Sequence, residues 1–167
     1  MFNSIEAFAA AWRNETASTK KVMETLTDES LAVSITPHNR SLGRLAWHLV
    51  ISMHEMLART GLQFEAPPED APVPSSASEI AAQYARVSEA LLAAVQRDWT
   101  DESLSKLNEM YGETWPNSLT LYVLVVHEVH HRGQMTVLMR QAGLRVPDIY
   151  GPPLEKWGEW GMEPPIV

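Results

Sequence analysis

The chain has 167 residues, a length that suits one domain with a sizeable buried core. Its net charge of −8, from 13 basic and 21 acidic residues, repels a phosphate backbone and argues against nucleic acid as a partner. The absence of cysteine excludes disulfides, thiolate metal ligands and a cysteine nucleophile, so a tightly bound transition metal would need histidine and carboxylate ligands.

The first part of the chain contains two segments with helical periodicity. The first runs from Asn3 to Leu26, where apolar residues recur at steps of three, four or seven, and Asn3 with Glu6 fits a capping box. The turn SITPHNR follows it. The second segment runs from Ser41 to Gly61, a residue type at which helices commonly stop. We therefore predict two long helices here.

A proline-rich stretch separates these helices from the rest of the chain. GLQFEAPPEDAPVPSSA carries four prolines, which excludes a helix and indicates a long crossover connection. A third helix is predicted from Ser78 to Trp99, and Ser76 with Glu79 gives its capping signature.

The fourth predicted helix begins at Pro116, a favoured first helical residue, and ends at Gly143. No segment shows convincing strand-like alternation, and the tail PDIYGPPLEKWGEWGMEPPIV predicts an irregular strap. The sequence therefore predicts an all-α four-helix bundle with a long crossover between helices 2 and 3, as a single domain spanning residues 1–167.

Neither the N-terminal segment nor the apolar runs indicate a membrane. The N-terminus, MFNSIEAFAAAWRNE, lacks the basic start and apolar core of a signal peptide. The apolar run LYVLVV at 121–126 is far shorter than the ~20 residues that a membrane helix needs. We expect a cytoplasmic protein without a membrane partner.

The stretch HEVHHRGQ at 127–134 places three histidines on the fourth helix. A helix turns about 100° per residue, so His127 and His131 share one face while His130 points away from it. Two histidines at i and i+4 can bind one metal ion, and the apolar run before them places the helix centrally in the bundle. The pattern therefore predicts half of a metal site.

His48 is the best candidate for a third ligand, because it lies in the middle of the second helix, in LGRLAWHLVI. His54 lies about 120° further around that helix, and His38 lies in the preceding turn, so both are weaker candidates. Three imidazoles would leave coordination positions for water or substrate, as in catalytic metal sites.

The same residues satisfy H-E-x-x-H, the pattern of zinc peptidases. In that interpretation Glu128 is the general base, and Glu155 or Glu159 supplies a downstream ligand. Such enzymes commonly set the motif helix beside a sheet, and no strand is predicted here. The peptidase is therefore the weaker hypothesis, because so short a pattern arises readily by chance in a histidine-rich helix.

Four neighbouring residues have predicted roles of their own. Arg132 is expected to tie the bundle together through a carboxylate, and Gly133 to allow the close approach of an adjacent helix. Gln134 shares the ligand face and either orients a ligand histidine or donates to a metal-bound species. Glu55 either accepts from an imidazole N–H or is a surface carboxylate.

HEVHHRGQ followed by MTVLMRQAGL resembles the fourth helix of the DinB-like superfamily of metal-binding four-helix bundles. In that family one histidine of the second helix and an H-x-x-x-H pair of the last helix hold a divalent metal, and the pair runs into H-R-G-Q. The resemblance spans essentially the whole chain and gives the ligand roles to His48, His127 and His131. His130 falls on a variable position and receives no ligand role.

The resemblance implies a metal-dependent enzyme that uses a low-molecular-weight thiol, such as a transferase acting on small electrophiles. Because the chain has no cysteine, the thiol must come from outside. The alternatives are a hydrolase that uses metal-activated water, and a non-catalytic metal-binding bundle that forms a homodimer through apolar faces of the fourth helix. Imidazole suits several divalent metals, of which we expect zinc or nickel.

Overall fold

The structure is a computed structural model that describes residues 1–166. Within that range the chain forms five α-helices, two 3₁₀ turns and one β-hairpin. None of these helices is long and apolar enough to cross a membrane. The elements are α1 (Ile5–Thr25), a 3₁₀ turn (Glu29–Ala32), α2 (Leu42–Ala58), α3 (Ala77–Asp98), a second 3₁₀ turn (Glu102–Ser105), β1 (Leu107–Met110), β2 (Glu113–Pro116), α4 (Asn117–Gln141) and α5 (Leu154–Glu159).

The four long helices pack as a bundle, which confirms the predicted fold class. Helices α1 and α2 each contact both α3 and α4. The core contains the stacked rings of Phe8 and Trp12, whose centroids lie 5.9 Å apart, and the fully buried side chains of Leu49 and Met53. The apolar stripes of the helices face this one core, so the periodicity of the sequence accounts for the architecture.

Serine side chains cap the first three helices. The hydroxyl oxygens of Ser4, Ser41 and Ser76 each accept a hydrogen bond from the backbone N–H three residues further along. The prediction that Asn3 caps the first helix is wrong by one residue. The N-cap is Ser4, which has the extended backbone that this position needs. Pro116 directly precedes α4 and ends β2.

The hairpin of β1 and β2 was not predicted. Each strand has only four residues, too few to show the alternation that marks a strand. The turn between them has positive φ angles at Tyr111 (55°) and Gly112 (84°), as in the type I′ turns that close tight hairpins. The Tyr111 hydroxyl donates to Glu55 Oε2 at 2.6 Å, and this bond attaches the hairpin to α2.

The crossover and the tail lie on the bundle surface. The Trp47 indole N–H donates to the carbonyl of Ala71 at 3.1 Å, which fixes the middle of the proline-rich crossover. The tail is irregular as predicted, apart from the six residues of α5. An ion pair between Arg140 and Glu155 joins α5 to the end of α4.

Candidate metal centre

Three imidazoles from two helices meet between α2 and α4. The Nε2 atom of His127 lies 3.1 Å from Nε2 of His48 and 3.1 Å from Nε2 of His131. One possible ligand atom from each residue lies within 4.8 Å of the other two. Among residues 1–166, no second group of His, Cys, Asp or Glu comes together in this way. The structure thus brings together the three histidines that the sequence singled out.

Helix geometry explains why these rings converge. His127 and His131 lie one turn apart on α4, on the face that also carries the buried Leu124 and Leu138. This face packs against α2, where His48 lies near the middle of the helix. The two helices therefore aim all three rings at one place.

A hydrogen bond from His131 indicates its tautomer. His131 Nδ1 lies 2.7 Å from Oε1 of Gln134, and an amide oxygen can only accept, so Nδ1 carries the hydrogen and Nε2 carries a lone pair. His127 Nε2 faces two other ring nitrogens at 3.1 Å, and a single hydrogen on it cannot bridge both contacts. Hydrogen bonds between the three rings therefore cannot satisfy all three Nε2 atoms.

The three imidazoles are neutral near pH 7. Burial above all, with smaller contributions from Arg40 and His131, lowers the pKa of His48 to about 4. Burial likewise lowers the pKa of His127 to about 4 and shifts the pKa of His131 in the same direction. Neutral imidazole is the form that binds metal ions, so the environment prepares all three rings as ligands.

A divalent cation fits this set of donors. Three converging neutral nitrogens are a ligand set used in catalytic zinc sites, and a cation would accept the lone pairs that protons cannot bridge. His48, His127 and His131 could therefore hold a metal ion. The donor type suits zinc, nickel, iron or copper.

The other histidines with a predicted position lie outside the cluster. His130 is exposed, and its ring stands edge-on to His131 with centroids 4.9 Å apart. His54 packs edge-on against Phe64 at 5.3 Å, and His38 is exposed in the turn before α2. Their positions agree with the weaker rank that the helix geometry gave them.

The residues required by the peptidase hypothesis lie elsewhere. Glu128 is 1% exposed and accepts a hydrogen bond from the hydroxyl of Tyr84 on α3. Burial raises the pKa of Glu128 to about 7, although the hydrogen bonds to Thr19 and Tyr84 oppose that shift. Glu155 and Glu159 form ion pairs with arginines near the end of α4. Neither the general base nor the downstream ligand is therefore placed at the histidines.

Arg132 ties α4 to α1, as predicted. Its Nη2 lies 2.6 Å from Glu15 Oε2, and its Nη1 donates to the Glu15 carbonyl at 2.9 Å and to Thr19 Oγ1 at 3.2 Å. The Tyr150 hydroxyl also donates to Glu15, and the Arg132 guanidinium lies 5.2 Å from the Tyr150 ring centroid. Sequence inspection missed Glu15 and Tyr150, because no local pattern reveals partners 117 and 135 residues apart.

Two predicted neighbours have other roles. Gly133 is exposed, and a Cβ atom there would meet nothing within 4 Å, so the predicted close approach of a helix is wrong. Glu55 accepts hydrogen bonds from Arg59 and Tyr111, and among residues 1–166 it has none from an imidazole, which agrees with the alternative of a surface carboxylate. Two helical turns separate Glu55 from His48, about 10 Å along the axis, so its carboxylate is too far from that ring.

The fold and the site define a four-helix bundle with a candidate three-histidine metal centre, and comparisons with known proteins give its family. The model of the DinB family matches residues 1–162. A protein of Bacillus subtilis (strain 168), uncharacterized protein YrdA, is 47% identical over 165 residues, which are 99% of each chain. The chain belongs to the DinB family, which confirms the resemblance carried by HEVHHRGQ.

Solved structures agree with this membership. A crystal structure of a DinB-like protein from Bacillus cereus ATCC 10987 is similar at a TM-score of 0.87 and 49% identity, over 90% of this chain and 100% of that one. The DinB-like protein YjoA of Bacillus subtilis is similar at a TM-score of 0.67 and 15% identity, over 87% of this chain and 99% of that one. The second comparison shows that the fold persists where the sequence has diverged.

Proposed function

We propose that this protein binds a divalent metal, zinc or nickel, through His48, His127 and His131, and that it is a metal-dependent, thiol-dependent transferase acting on small electrophiles. The observation that carries the proposal is the convergence of the three Nε2 atoms. A cation held by three neutral ligands would keep its charge and lower the pKa of a thiol or a water molecule nearby.

The residues of the chain have separate tasks in this proposal. His48 supplies a donor from α2, and His127 and His131 supply two from α4. Gln134 fixes the ring of His131 through the bond to Nδ1, which keeps its Nε2 lone pair directed into the cluster. Glu128 takes no part in the chemistry, because it is buried against Tyr84.

The thiol has to be a co-substrate, because the chain has no cysteine. In the transfer, the thiol sulfur forms a bond to an electrophilic carbon of the second substrate. The group displaced from that carbon leaves with its bonding electron pair, and the thiol proton passes to the solvent.

Thiol-dependent turnover tests the proposal. The protein loaded with zinc or nickel is incubated with chlorodinitrobenzene and a panel of small thiols, and the thioether product is followed by absorbance. We expect product above the uncatalysed rate with wild type, and loss of that excess in His131→Ala. His54→Ala is the matched control and retains the activity, because His54 packs against Phe64 away from the cluster.

Other outcomes separate the alternatives. Cleavage of an ester panel by the metal-loaded protein without added thiol would instead support a hydrolase using activated water. Bound metal with no turnover of either kind would support a non-catalytic metal-binding bundle.

The homodimer and the cytoplasmic location stay predictions. Helix α4 exposes Tyr122 and Val126, which lie one turn apart and are 45% and 46% exposed. An exposed apolar pair of this kind suits a helix–helix contact. Light scattering on the purified protein would measure the assembly directly, and a monomer mass would exclude the dimer.

A further inference from the structure

A second feature lies beside the three histidines. A cavity of about 320 Å³ adjoins the cluster through His131 and Gln134. Its volume is at the lower end of the roughly 300–1,000 Å³ typical of small-molecule sites. The lining residues are Ile35, Asn39, Arg40, Leu45, His131, Gln134, Val137 and Leu138.

The charge of this cavity is opposite to that of the protein. The chain carries a net charge of −8, yet no carboxylate lines the cavity, and Arg40 contributes a full positive charge. None of the ion pairs among residues 1–166 involves Arg40. An arginine without a carboxylate partner, on the wall of a concave site, is a ready partner for an anion.

Hydrogen-bond donors reinforce that charge. The Oε1 atom of Gln134 accepts from His131, so the amide NH₂ of Gln134 is the donor that this side chain offers to a ligand. Asn39 likewise has only its amide NH₂ left to donate, because its Oδ1 already accepts a hydrogen bond from the Thr36 hydroxyl at 2.6 Å. The cavity wall therefore combines one guanidinium with two amide donors.

Arg40 and the ligand candidate His131 both line this cavity. The turn before α2 holds Arg40 there, through bonds from Asn39 N–H to the Thr36 carbonyl and from Leu42 N–H to the Val33 carbonyl. A ligand in the cavity would therefore lie between Arg40 and the cluster.

We infer that this cavity is a subsite for a small molecule with a carboxylate group and an apolar body, and that Arg40 binds the carboxylate. The apolar body packs on the aliphatic side chains of Leu45, Val137 and Leu138. The inference rests on the proposed function, in that it names the chemical class of one substrate of the same site.

Binding of phenylacetate, compared with the neutral phenylacetamide, tests the subsite. Titrations are followed by amide NMR of the metal-free and the metal-loaded protein, so that the perturbed residues locate the ligand. We expect phenylacetate to shift the side-chain NH₂ signals of Gln134 and Asn39, and to bind about tenfold more tightly than the amide, since a hydrogen bond to a charged group contributes about one factor of ten or more.

Arg40→Gln should weaken phenylacetate binding about tenfold and leave phenylacetamide binding unchanged. Arg44→Gln is the matched control, because Arg44 is exposed in the first turn of α2 and does not line the cavity. Arg40→Lys keeps the charge and should lie between wild type and Arg40→Gln. Arg40 is exposed, so these variants are expected to fold, and their thermal melts check it.

Three results would overturn the inference. Phenylacetate could fail to bind wild type, or it could shift residues away from the cavity. It could also bind Arg40→Gln as tightly as wild type and lose its affinity when the metal is removed, which would make the carboxylate a metal ligand and leave the metal centre supported. A metal centre that fails to load would not affect the measurement on metal-free protein.

The carboxylate could belong to the thiol or to the electrophile. Steady-state kinetics with mercaptopropionate and with mercaptoethanol separates these sources. If Arg40→Gln raises the KM of mercaptopropionate alone, the subsite belongs to the thiol. If it raises the KM of a carboxylate-bearing electrophile with either thiol, the subsite belongs to the electrophile.

Discussion

Arg132 on α4 and Glu15 on α1 form a buried ion pair, with 2.6 Å between Nη2 and Oε2 and side-chain exposures of 2% and 10%. Arg132 directly follows the predicted ligand His131 in the sequence. His131 faces the candidate metal centre, whereas Arg132 points to the adjacent helix α1. In the H-R-G-Q sequence, a candidate metal ligand is thus followed directly by the arginine whose ion pair holds α4 against α1.

The first prediction concerns the stability of this pair. Arg132→Met should lower the free energy of unfolding by about 3 kcal/mol, because it leaves the Glu15 carboxylate buried without its partner. Arg140→Met is the control, and it should lower the free energy of unfolding far less, because its pair with Glu155 is exposed and screened by solvent. Urea denaturation measures both values. Equal losses of unfolding free energy in the two variants would show that the buried pair stabilises the fold no more than the exposed one.

The second prediction concerns acid stability. Burial raises the pKa of Glu15, but hydrogen bonds from Tyr150 and Arg132 outweigh it, so the pKa is lowered overall. A carboxyl whose pKa is lower in the folded state contributes stability above its unfolded pKa of about 4.3, and this stability is lost as the pH falls through the folded value.

Glu15→Gln should therefore be less stable than wild type at pH 7, and the difference should shrink as the solution is acidified below about pH 4. The exposed Glu89, which pairs with Lys20, offers the control variant Glu89→Gln, whose difference from wild type should stay small throughout. Denaturation curves over a pH series provide the test. A Glu15→Gln difference that is constant with pH would refute this assignment.

The third prediction concerns Gln134. Gln134→Ala removes the acceptor that fixes the tautomer and orientation of His131, so it should weaken metal affinity about tenfold while the stoichiometry stays the same. Gln141→Ala, at an exposed position on the same helix, should bind metal like wild type. Competition titrations with a chromophoric chelator measure both affinities. Unchanged affinity in Gln134→Ala would mean that the ring needs no such support.

The fourth prediction separates Glu128 from the chemistry. Tyr84→Phe removes the donor to a buried carboxylate and should cost about 1–3 kcal/mol of stability. The same variant should retain its metal, because the Tyr84 hydroxyl bonds to Glu128 and makes no hydrogen bond to a ligand histidine among the described residues. Elemental analysis and urea denaturation of one preparation give both results. Loss of metal with little loss of stability would bring Glu128 back into the site.

Local patterns in the sequence predicted the parts of the molecule that depend on neighbouring residues. Apolar periodicity gave the four long helices, and the i, i+4 spacing put His127 and His131 on one face. His48 was placed by its position in the second helix and by the family resemblance. In the structure its Nε2 atom lies 3.1 Å from Nε2 of His127.

The features that were missed depend on long-range contacts or on very short elements. The β-hairpin has strands of four residues, and its turn places Tyr111 at positive φ, where glycine or asparagine is the usual signal. Gly133 was assigned to a helix contact, because a sequence does not show whether a glycine faces a neighbour or solvent. Glu15 gave no signal, since its partners come from the other end of the chain.

Metal content tests the central claim most directly. Tag-free wild type, His48→Ala, His127→Ala and His131→Ala are reconstituted with zinc or nickel, desalted and measured by elemental analysis. His130→Ala is the matched control, because this histidine lies in the same motif but outside the cluster. We predict near-stoichiometric metal in wild type and His130→Ala, and loss of metal in the other three variants. Wild type without metal after reconstitution, or His48→Ala with its metal retained, would contradict the three-histidine centre.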